Sequence, residues 1–276
     1  MTIEELIIYG KGKIHSDYAK MLLADLIGVN PLELLTMLDR KVEDSIINTY
    51  KEKVKEVEKK NPIQYVIGNV NFYGSIFKVN KNVLIPRFET EELVDNTINY
   101  INSFFDVNNL DIIDLGTGSG CIGLTLKKNI PTSNVTLIDI SKSALEVAKD
   151  NADNLNLDVE LLHNDMLEGI DKKFDIIISN PPYIKIDEEI EDLVKDNEPH
   201  LALYGGVDGL EYYKKILAKA KDNVKDNYLI AFEIGDTLRN DIIKLAQEYF
   251  PNSHIVAKKD IYDRDRMIFI SNMDIE

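Results

Sequence analysis

The feature that most limits how this chain can fold is an alternation of apolar runs and amphipathic segments from Asp111 onwards. Short apolar runs rich in β-branched residues are typical of buried strands, and the longer segments between them have helical spacing. The alternation predicts an α/β fold, in which a mostly parallel seven-stranded sheet carries helices on both faces. The connection over residues 262–265 is too short for a parallel crossover, so we expect the last strand to be antiparallel. The predicted strands are 111–115, 134–139, 158–163, 174–179, 228–234, 253–258 and 266–271, and the predicted helices between them are 119–129, 142–154, 208–224 and 236–249.

The first part of the chain has a different pattern. Residues 2–60 carry leucine and isoleucine at helical spacing, which predicts a small bundle of about four or five helices. Residues 62–85 are rich in aromatic and β-branched residues interrupted by glycine, which predicts a β-hairpin connector with a strand over 77–85. We therefore divide the chain into an N-terminal helical domain (1–67), a hairpin connector (68–85) and an α/β domain (86–276).

Bulk properties narrow the class of protein. The chain has 276 residues, and no apolar run approaches the roughly 18–20 residues that a membrane span needs. Its acidic start lacks the basic region of a signal peptide. The single cysteine, Cys121, cannot form an internal disulfide or a cysteine-based metal cluster, and the scattered histidines predict no metal site. These features indicate a cytoplasmic protein with no membrane contact.

The net charge of −16 is unevenly distributed along the chain. Residues 1–60 hold 10 Lys/Arg and 11 Asp/Glu, so residues 61–276 carry −15 of the total. Because an acidic surface repels phosphate backbones, we expect no direct contact with nucleic acid. The same charge would attract a basic partner protein, or would serve only to keep the protein soluble.

A glycine-rich turn, Gly116–Gly120, follows the first predicted strand of the sheet. Glycine permits a tight turn and lets the backbone approach a ligand closely. Asp139 ends the next strand, 23 residues after Gly116, where a carboxylate can accept hydrogen bonds from both hydroxyls of a ribose. The pattern therefore predicts a cofactor that contains a ribose.

The residues around the turn favour S-adenosylmethionine over a dinucleotide. Residues 118–123 match the dinucleotide pattern G-x-G-x-x-G, but counted from Gly116 the last glycine of that pattern is replaced by Cys121. The carboxylate of Asp114, just before the turn, would repel a pyrophosphate. It suits an ammonium group, either directly or through the loop amides, and S-adenosylmethionine carries an amine at its methionine end.

Candidate binding residues also follow the third and fourth predicted strands. After the third strand, Asp165 is placed to meet the adenine amino group, and Met166 to pack on the ring or in the core. The fourth strand ends at Asn180–Tyr183, whose two prolines stop the strand and stiffen the loop. Because ligands of open α/β sheets sit beyond the carboxyl ends of strands, Asn180 is placed to hydrogen-bond a substrate. A plain strand-ending turn is the alternative.

With these motifs the chain resembles the class I S-adenosylmethionine-dependent methyltransferases. More narrowly, it resembles the peptide chain release factor N5-glutamine methyltransferases, and the resemblance covers nearly the whole chain. The segments that carry it are 61–68, 85–91, 114–120, 180–184, 198–199, 203–210 and 263–266. Two residues depart from the family pattern: Phe88 stands where proline is common, and Met166 stands where an aromatic residue is often found.

The resemblance implies a Rossmann-like class I methyltransferase fold that uses S-adenosylmethionine. It implies methylation of the side-chain nitrogen of glutamine in the Gly-Gly-Gln motif of release factors, which the helical domain would dock; we expect a monomer. The implied cofactor contacts are Gly116, Thr117, Gly118, Ser119, Gly120, Asp139, Met166 and Asn180. The implied acceptor contacts are Asn180, Pro181, Pro182 and Tyr183.

The chemistry expected at this motif follows from the weak nucleophilicity of a carboxamide nitrogen. We expect the side-chain oxygen of Asn180 and the carbonyl of Pro181 to accept one N–H each from the acceptor glutamine, while Tyr183 flanks its planar amide. Three alternatives remain. They are a DNA or RNA exocyclic amino methyltransferase with the same motif, a nicotinamide-dependent oxidoreductase, and a binding module without catalysis.

Overall fold

The computed structural model describes residues 1–275, which form two compact units. The first unit contains Met1–Asn69 together with Glu191–Asn197. The second contains Val70–Ile190 and the chain from Glu198 onwards. The predicted division at residues 67 and 85 stays a prediction, and the structure adds that the segment from Glu191 to Asn197 packs with the N-terminal helices.

The first unit is a helical bundle with its own apolar core. Its largest fully buried side chains include Leu6 of the first helix, Leu22 of the second and Tyr50 of the fourth. The first helix begins with a capping box, in which Thr2 and Glu5 each accept a hydrogen bond from the backbone of the other. The helices of this unit are α1 (Ile3–Lys11), α2 (Ser16–Ile27), α3 (Pro31–Leu34), α4 (Asp44–Glu58), α5 (Ile63–Ile67) and, later in the chain, α9 (Asp192–Asn197).

The predicted hairpin is present but shorter than expected. Its strands are β1 (Asn69–Phe72) and β2 (Ser75–Lys78), joined by Tyr73 and Gly74, both in the left-handed region with φ of 48° and 72°. The predicted strand over 77–85 is wrong beyond Lys78. There the side chain of Asn80 accepts a hydrogen bond from the Asn82 amide (2.9 Å), and this turn takes the chain out of the ladder.

The start of the region predicted as a β-connector is helical instead. Residues Ile63–Ile67 form α5, although the composition of residues 62–85 as a whole predicted a β-hairpin connector. Ile63 is buried in the core of the helical unit, and Gly68 ends the helix in the left-handed region with φ of 95°. Tertiary burial and a glycine cap therefore outweigh local β-propensity at this position.

The second unit is built on a sheet of seven strands in the order β5-β4-β3-β6-β7-β9-β8. The five strands from β5 to β7 in that order pair in parallel. The last strand of the chain, β9, pairs antiparallel with both of its neighbours, which confirms the prediction. The strands are β3 (Asp111–Leu115), β4 (Asn134–Asp139), β5 (Glu160–His163), β6 (Phe174–Ser179), β7 (Val224–Glu233), β8 (His254–Lys259) and β9 (Asp265–Ser271).

Helices cover both faces of this sheet, as the alternating pattern predicts. Neighbouring residues of one strand face opposite layers, so Ile112 packs in one core cluster and Ile113 in the other. Ser141 caps a helix by accepting a hydrogen bond from the Ala144 amide (3.2 Å). In residues 1–275, no helix has the length and apolar character needed to cross a membrane. The helices are α6 (Phe88–Phe104), α7 (Cys121–Asn129), α8 (Lys142–Leu155), α10 (Glu211–Asn223) and α11 (Arg239–Tyr249), with a 3-10 turn at His200–Ala202.

A close approach of helices in the first unit depends on Gly10. A Cβ atom there would lie 2.1 Å from the hydroxyl oxygen of Tyr50 and 2.8 Å from Cβ of Ala19. We expect Gly10→Ala to lower the free energy of unfolding by about 1–3 kcal/mol, because a packed core resists added volume. Chemical denaturation followed by circular dichroism measures this loss. Gly12→Ala is the matched control, since its Cβ would meet nothing closer than 3.5 Å; equal losses in both variants would contradict the account.

Candidate active site

The register of the parallel strands brings the ends of four strands to one level. Leu115 pairs with Ile138 on one side and with Ser179 on the other, and Ser179 also pairs with Phe232. The residue that follows each of these therefore lies at the carboxyl edge of the sheet, where open α/β folds bind ligands. These residues are Asp139, Gly116, Asn180 and Glu233.

A cleft with a volume of about 200 Å³ opens at this edge. The predicted site residues that line it are Gly116, Gly118, Asp139, Asp165, Met166, Asn180 and Pro182. No motif in the sequence marks five further lining residues, which are Val83 and Leu84 after the hairpin, Leu201 of the 3-10 turn, and Tyr212 and Lys215 of α10. Within residues 1–275, no three His, Cys, Asp or Glu side chains converge as a metal site requires.

Three backbone amides of the glycine turn are bonded within the protein. The Thr117 amide donates to the Ile138 carbonyl (2.8 Å), and the Gly118 amide donates to Oδ2 of Asp139 (2.9 Å). The Gly120 amide donates back to the Thr117 carbonyl (2.9 Å). A pyrophosphate would need such amides as free donors, so the turn fits S-adenosylmethionine better than a dinucleotide.

Asp139 is the buried carboxylate on the cleft wall. Its Oδ2 accepts from Gly118, and its Oδ1 accepts from the Ser141 amide (2.8 Å). Burial raises the pKa of this carboxyl, and the hydrogen bonds from Ser141 and Gly118 oppose that shift. Each oxygen keeps a further lone pair, so the group can accept the two hydroxyls of a ribose while it holds the turn.

Asp114 acts on the cleft through the turn rather than directly. The side chain is fully buried, and its Oδ2 accepts from the Thr117 hydroxyl (2.5 Å) and the Gly123 amide (3.0 Å). Among the described residues nothing hydrogen-bonds its Oδ1. Burial raises the pKa of Asp114 to about 7, against the two hydrogen bonds that lower it, and the nearby charge of Asp139 adds to the increase.

The remaining predicted residues of the turn shape it from behind. The Ser119 carbonyl accepts from the side chain of Asn151 (2.8 Å), a buried residue of α8 that also bonds the backbone of Lys78. At Gly120, with φ of 81°, a Cβ would lie 2.9 Å from the side chain of Leu124. No motif marks Asn151, because an asparagine within a predicted helix carries no local signal for a contact with the glycine turn.

Asp165 and Met166, the two residues predicted to meet adenine, both lie on the cleft wall, and each has a neighbour there that the sequence did not indicate. Asp165 forms an ion pair with Lys215, which lines the same cleft. Met166 is both a core residue and a lining residue, and its Cε would lie 3.8 Å from a Cβ placed at Gly116. The roles of Asp165 and Met166 in binding adenine stay predictions.

The Asn180–Tyr183 loop presents its first and third residues to the cleft. Asn180 and Pro182 belong to the lining, whereas Pro181 and Tyr183 do not, within the described part of the chain. The ring of Tyr183 packs inward, 3.1 Å from where a Cβ at Gly235 would stand. Burial raises the pKa of Tyr183, and the negative charge of Glu233 adds to the effect.

A buried acid ties two lining segments together near the loop. Glu198 is 5% exposed, accepts from the Ile85 amide (3.2 Å) and pairs with Arg87 (2.5 Å). The ion pair fixes the chain before α6 to the start of the 3-10 turn. The resemblance included both segments, but their contact joins residues 111 positions apart and has no local signal.

The buried Asp114 makes stability depend on pH in a defined direction. Its pKa in the folded state is about 7, above the value of 3.8 for an exposed aspartate, so the folded state binds more protons in this interval. This group therefore lowers stability as pH rises from about 4 to 7, by ~1 kcal/mol per pH unit, with no further loss above about 7. We expect Asp114→Asn, which cannot ionise, to gain stability relative to the original protein across that window. Urea unfolding at pH 5, 6, 7 and 8 checks this, and a difference that does not vary with pH would contradict it.

Comparison with known proteins agrees with this geometry. The model of the PrmC N-terminal domain matches residues 15–68, and the model of the methyltransferase small domain matches residues 90–206. The solved structure of the T. thermophilus 16S rRNA N2 G1207 methyltransferase, in complex with AdoMet and guanosine, superposes with a TM-score of 0.56 at 16% identity. The match covers 74% of this chain and 50% of that one, and it shows the class I methyltransferase fold.

Sequence relatives identify the family. A release factor glutamine methyltransferase of Bacillus cereus is 36% identical over 255 residues, which cover 91% of this chain and 90% of the relative. One of Streptococcus pneumoniae is 42% identical over 213 residues, which cover 76% of this chain and 75% of the relative. The cofactor is S-adenosylmethionine, as predicted, and the protein is an enzyme. The chain belongs to the family of release factor glutamine methyltransferases.

Proposed function

We propose that this enzyme transfers a methyl group from S-adenosylmethionine to the side-chain nitrogen (N5) of the glutamine in the Gly-Gly-Gln motif of peptide chain release factors. The observation that carries the proposal is the carboxamide of Asn180 on the wall of the cleft, in a stiff loop beside the glycine turn. The names of relatives that are 36% and 42% identical to this chain support the choice of substrate.

The residues divide into two groups around Asn180. The cofactor group is Gly116, Thr117, Gly118, Ser119, Gly120, Asp139, Asp165, Met166 and Asn180. The acceptor group is Asn180, Pro181, Pro182 and Tyr183, of which Asn180, Pro181 and Tyr183 act in catalysis. The bonded amides of the turn and the buried carboxylate of Asp139 support the first group, and the place of Asn180 and Pro182 in the cleft supports the second.

The chain acts by holding a weak nucleophile in the reactive direction. Bound S-adenosylmethionine supplies an electrophilic methyl group. Oδ1 of Asn180 accepts one N–H of the acceptor glutamine, and the Pro181 carbonyl accepts the other, which returns electron density to the nitrogen. Orientation of this kind lowers a barrier by several kcal/mol. No general base and no metal are needed, because the nitrogen that gains the methyl group becomes acidic and releases its proton to water.

The rest of the chain serves recognition of the partner protein. The helical domain (1–67) docks the release factor, the connector (68–85) joins it to the catalytic domain (86–276), and the enzyme works as a monomer in the cytoplasm. Its substrate is the protein and not the nucleic acid around it, since the charge of −15 on residues 61–276 opposes binding to phosphate backbones.

Mass spectrometry of a co-expressed release factor tests the proposal. We expect one added methyl group on the glutamine of the Gly-Gly-Gln motif, and its loss with Asn180→Ala, because that variant removes the acceptor of the glutamine N–H. Asn99→Ala, a change of an exposed residue in α6, is the matched control and should leave methylation intact. Transfer to RNA or DNA in place of the release factor, or an undiminished rate in Asn180→Ala, would refute the proposal.

The affinity for the cofactor depends on the carboxylate of Asp139. In Asp139→Asn, the new side-chain NH₂ group would replace one carboxylate oxygen. It would then face the N–H donor of Gly118 or of Ser141, which now donates to that oxygen. We expect the affinity for S-adenosylhomocysteine to fall about 10- to 100-fold, the cost of losing a hydrogen bond to a charged group. Isothermal titration calorimetry measures it. Glu168→Gln, at an exposed carboxylate paired with Lys219, is the control and should bind as before.

A further inference from the structure

Behind Asn180 lies a buried network of hydrogen bonds that has no part in the proposed methyl transfer. Nδ2 of Asn180 donates to Oγ1 of Thr90 (3.3 Å), and Oγ1 of Thr90 donates to Oε2 of Glu233 (2.6 Å). Thr90 and Glu233 are each 2% exposed, so water does not compete for these bonds. This hydrogen-bond network links α6, the carboxyl end of β7 and the Asn180 loop.

The donor-to-acceptor direction of these hydrogen bonds fixes which end of the Asn180 carboxamide turns inward. An ionised carboxylate only accepts, so the hydroxyl of Thr90 must give its single proton to Glu233. That hydroxyl then offers only lone pairs to Asn180, and only the nitrogen of a carboxamide can donate to them. With Nδ2 turned towards Thr90, Oδ1 diverges from it, and Asn180 forms part of the cleft wall.

Glu233 is itself held in place at both its backbone and its side chain. The hydroxyl of Tyr213 donates to the Glu233 carbonyl (2.7 Å), and register places Glu233 beside Asn180. Burial raises the pKa of its carboxyl to about 7, while Thr90, the positive charge of Arg266 and the side chain of Asn180 oppose the increase. The carboxyl of Glu233 is therefore mostly ionised at pH 8, and under that condition the Thr90 hydroxyl donates to Glu233 and accepts from Asn180.

We propose that Thr90 and Glu233 are positioning residues that orient the Asn180 carboxamide, so that its oxygen faces the amide of the acceptor. The inference rests on the proposed function, since it concerns how Asn180 receives the glutamine. A carboxamide without fixed partners can exchange the positions of its oxygen and nitrogen by rotation at little cost. In the reversed orientation, Asn180 would present N–H donors to the N–H groups of the acceptor. The buried hydrogen bonds to Thr90 and Glu233 exclude that second orientation.

Steady-state kinetics at pH 8, with the release factor as substrate, provide the first test. Thr90→Val keeps the shape but lacks the hydroxyl, and we expect kcat to fall roughly 10- to 100-fold, because misoriented acceptors react slowly. KM for the release factor and the affinity for S-adenosylhomocysteine should change by less than about threefold, since the rest of the cleft is intact. Thr90→Ser restores the hydroxyl and should recover most of kcat, whereas Glu233→Gln, which can donate as well as accept, should lower it.

Thr97→Val is the matched control. Thr97 is a fully buried threonine of the same helix whose hydroxyl bonds the Leu93 carbonyl (2.7 Å), so its loss costs stability without touching Asn180. We expect its kcat to match the unmodified enzyme. An equal loss of kcat in Thr97→Val and Thr90→Val, or an undiminished kcat in Thr90→Val, would overturn the positioning role.

A second readout does not depend on methyl transfer. The side-chain amide signal of Asn180, assigned in ¹⁵N-asparagine-labelled protein by its absence in Asn180→Ala, should shift and exchange faster with water in Thr90→Val. An unchanged signal would overturn the inference even if the release factor is not the substrate. Conversely, a shifted signal in an enzyme that does not methylate release factors would sink the proposed function and leave the orientation of Asn180 supported.

Discussion

The site depends on the register of neighbouring parallel strands. Because Ser179 pairs with both Leu115 and Phe232, the glycine turn, the Asn180 loop and Glu233 are set side by side at one edge. A slip of one residue in β6 would turn Ser179 and Ile178 to the wrong faces and would move Asn180 away from Thr90. The apolar packing on both sides of the sheet therefore determines the geometry at its edge, and Met166 belongs both to that core and to the cleft wall.

Three buried acids hold the functional groups in place. Asp114 and Asp139 accept hydrogen bonds from the glycine turn, and Glu233 accepts from the hydroxyl that meets Asn180. Burial raises the pKa of each carboxyl, so each one costs folding free energy near neutral pH. A site fixed by charge in this way is less stable than an apolar core would be, and in return its backbone amides and its carboxamide have one orientation.

Local patterns in the sequence carried much of this structure. The sheet, its antiparallel last strand and the cofactor followed from the alternation of segments and from the motifs at 114–120 and 180–184, whose chemistry lies within a few consecutive residues. The short helix α5 was missed because burial and Gly68 outweighed β-propensity there. Thr90 and Glu233 were missed because their bond spans 143 residues, yet one signal was available: an acid that ends an apolar strand at the ligand edge.

In the proposed mechanism, Thr90 orients the Asn180 carboxamide, and the oxygen of that carboxamide accepts a hydrogen bond from the acceptor amide. A crystal structure with S-adenosylhomocysteine and a peptide containing Gly-Gly-Gln tests it directly. We expect the glutamine nitrogen to lie about 2.7–3.2 Å from Oδ1 of Asn180, while Nδ2 of Asn180 keeps its hydrogen bond to Thr90. A glutamine nitrogen bound elsewhere, or an Asn180 side chain turned away from the cleft, would contradict the account.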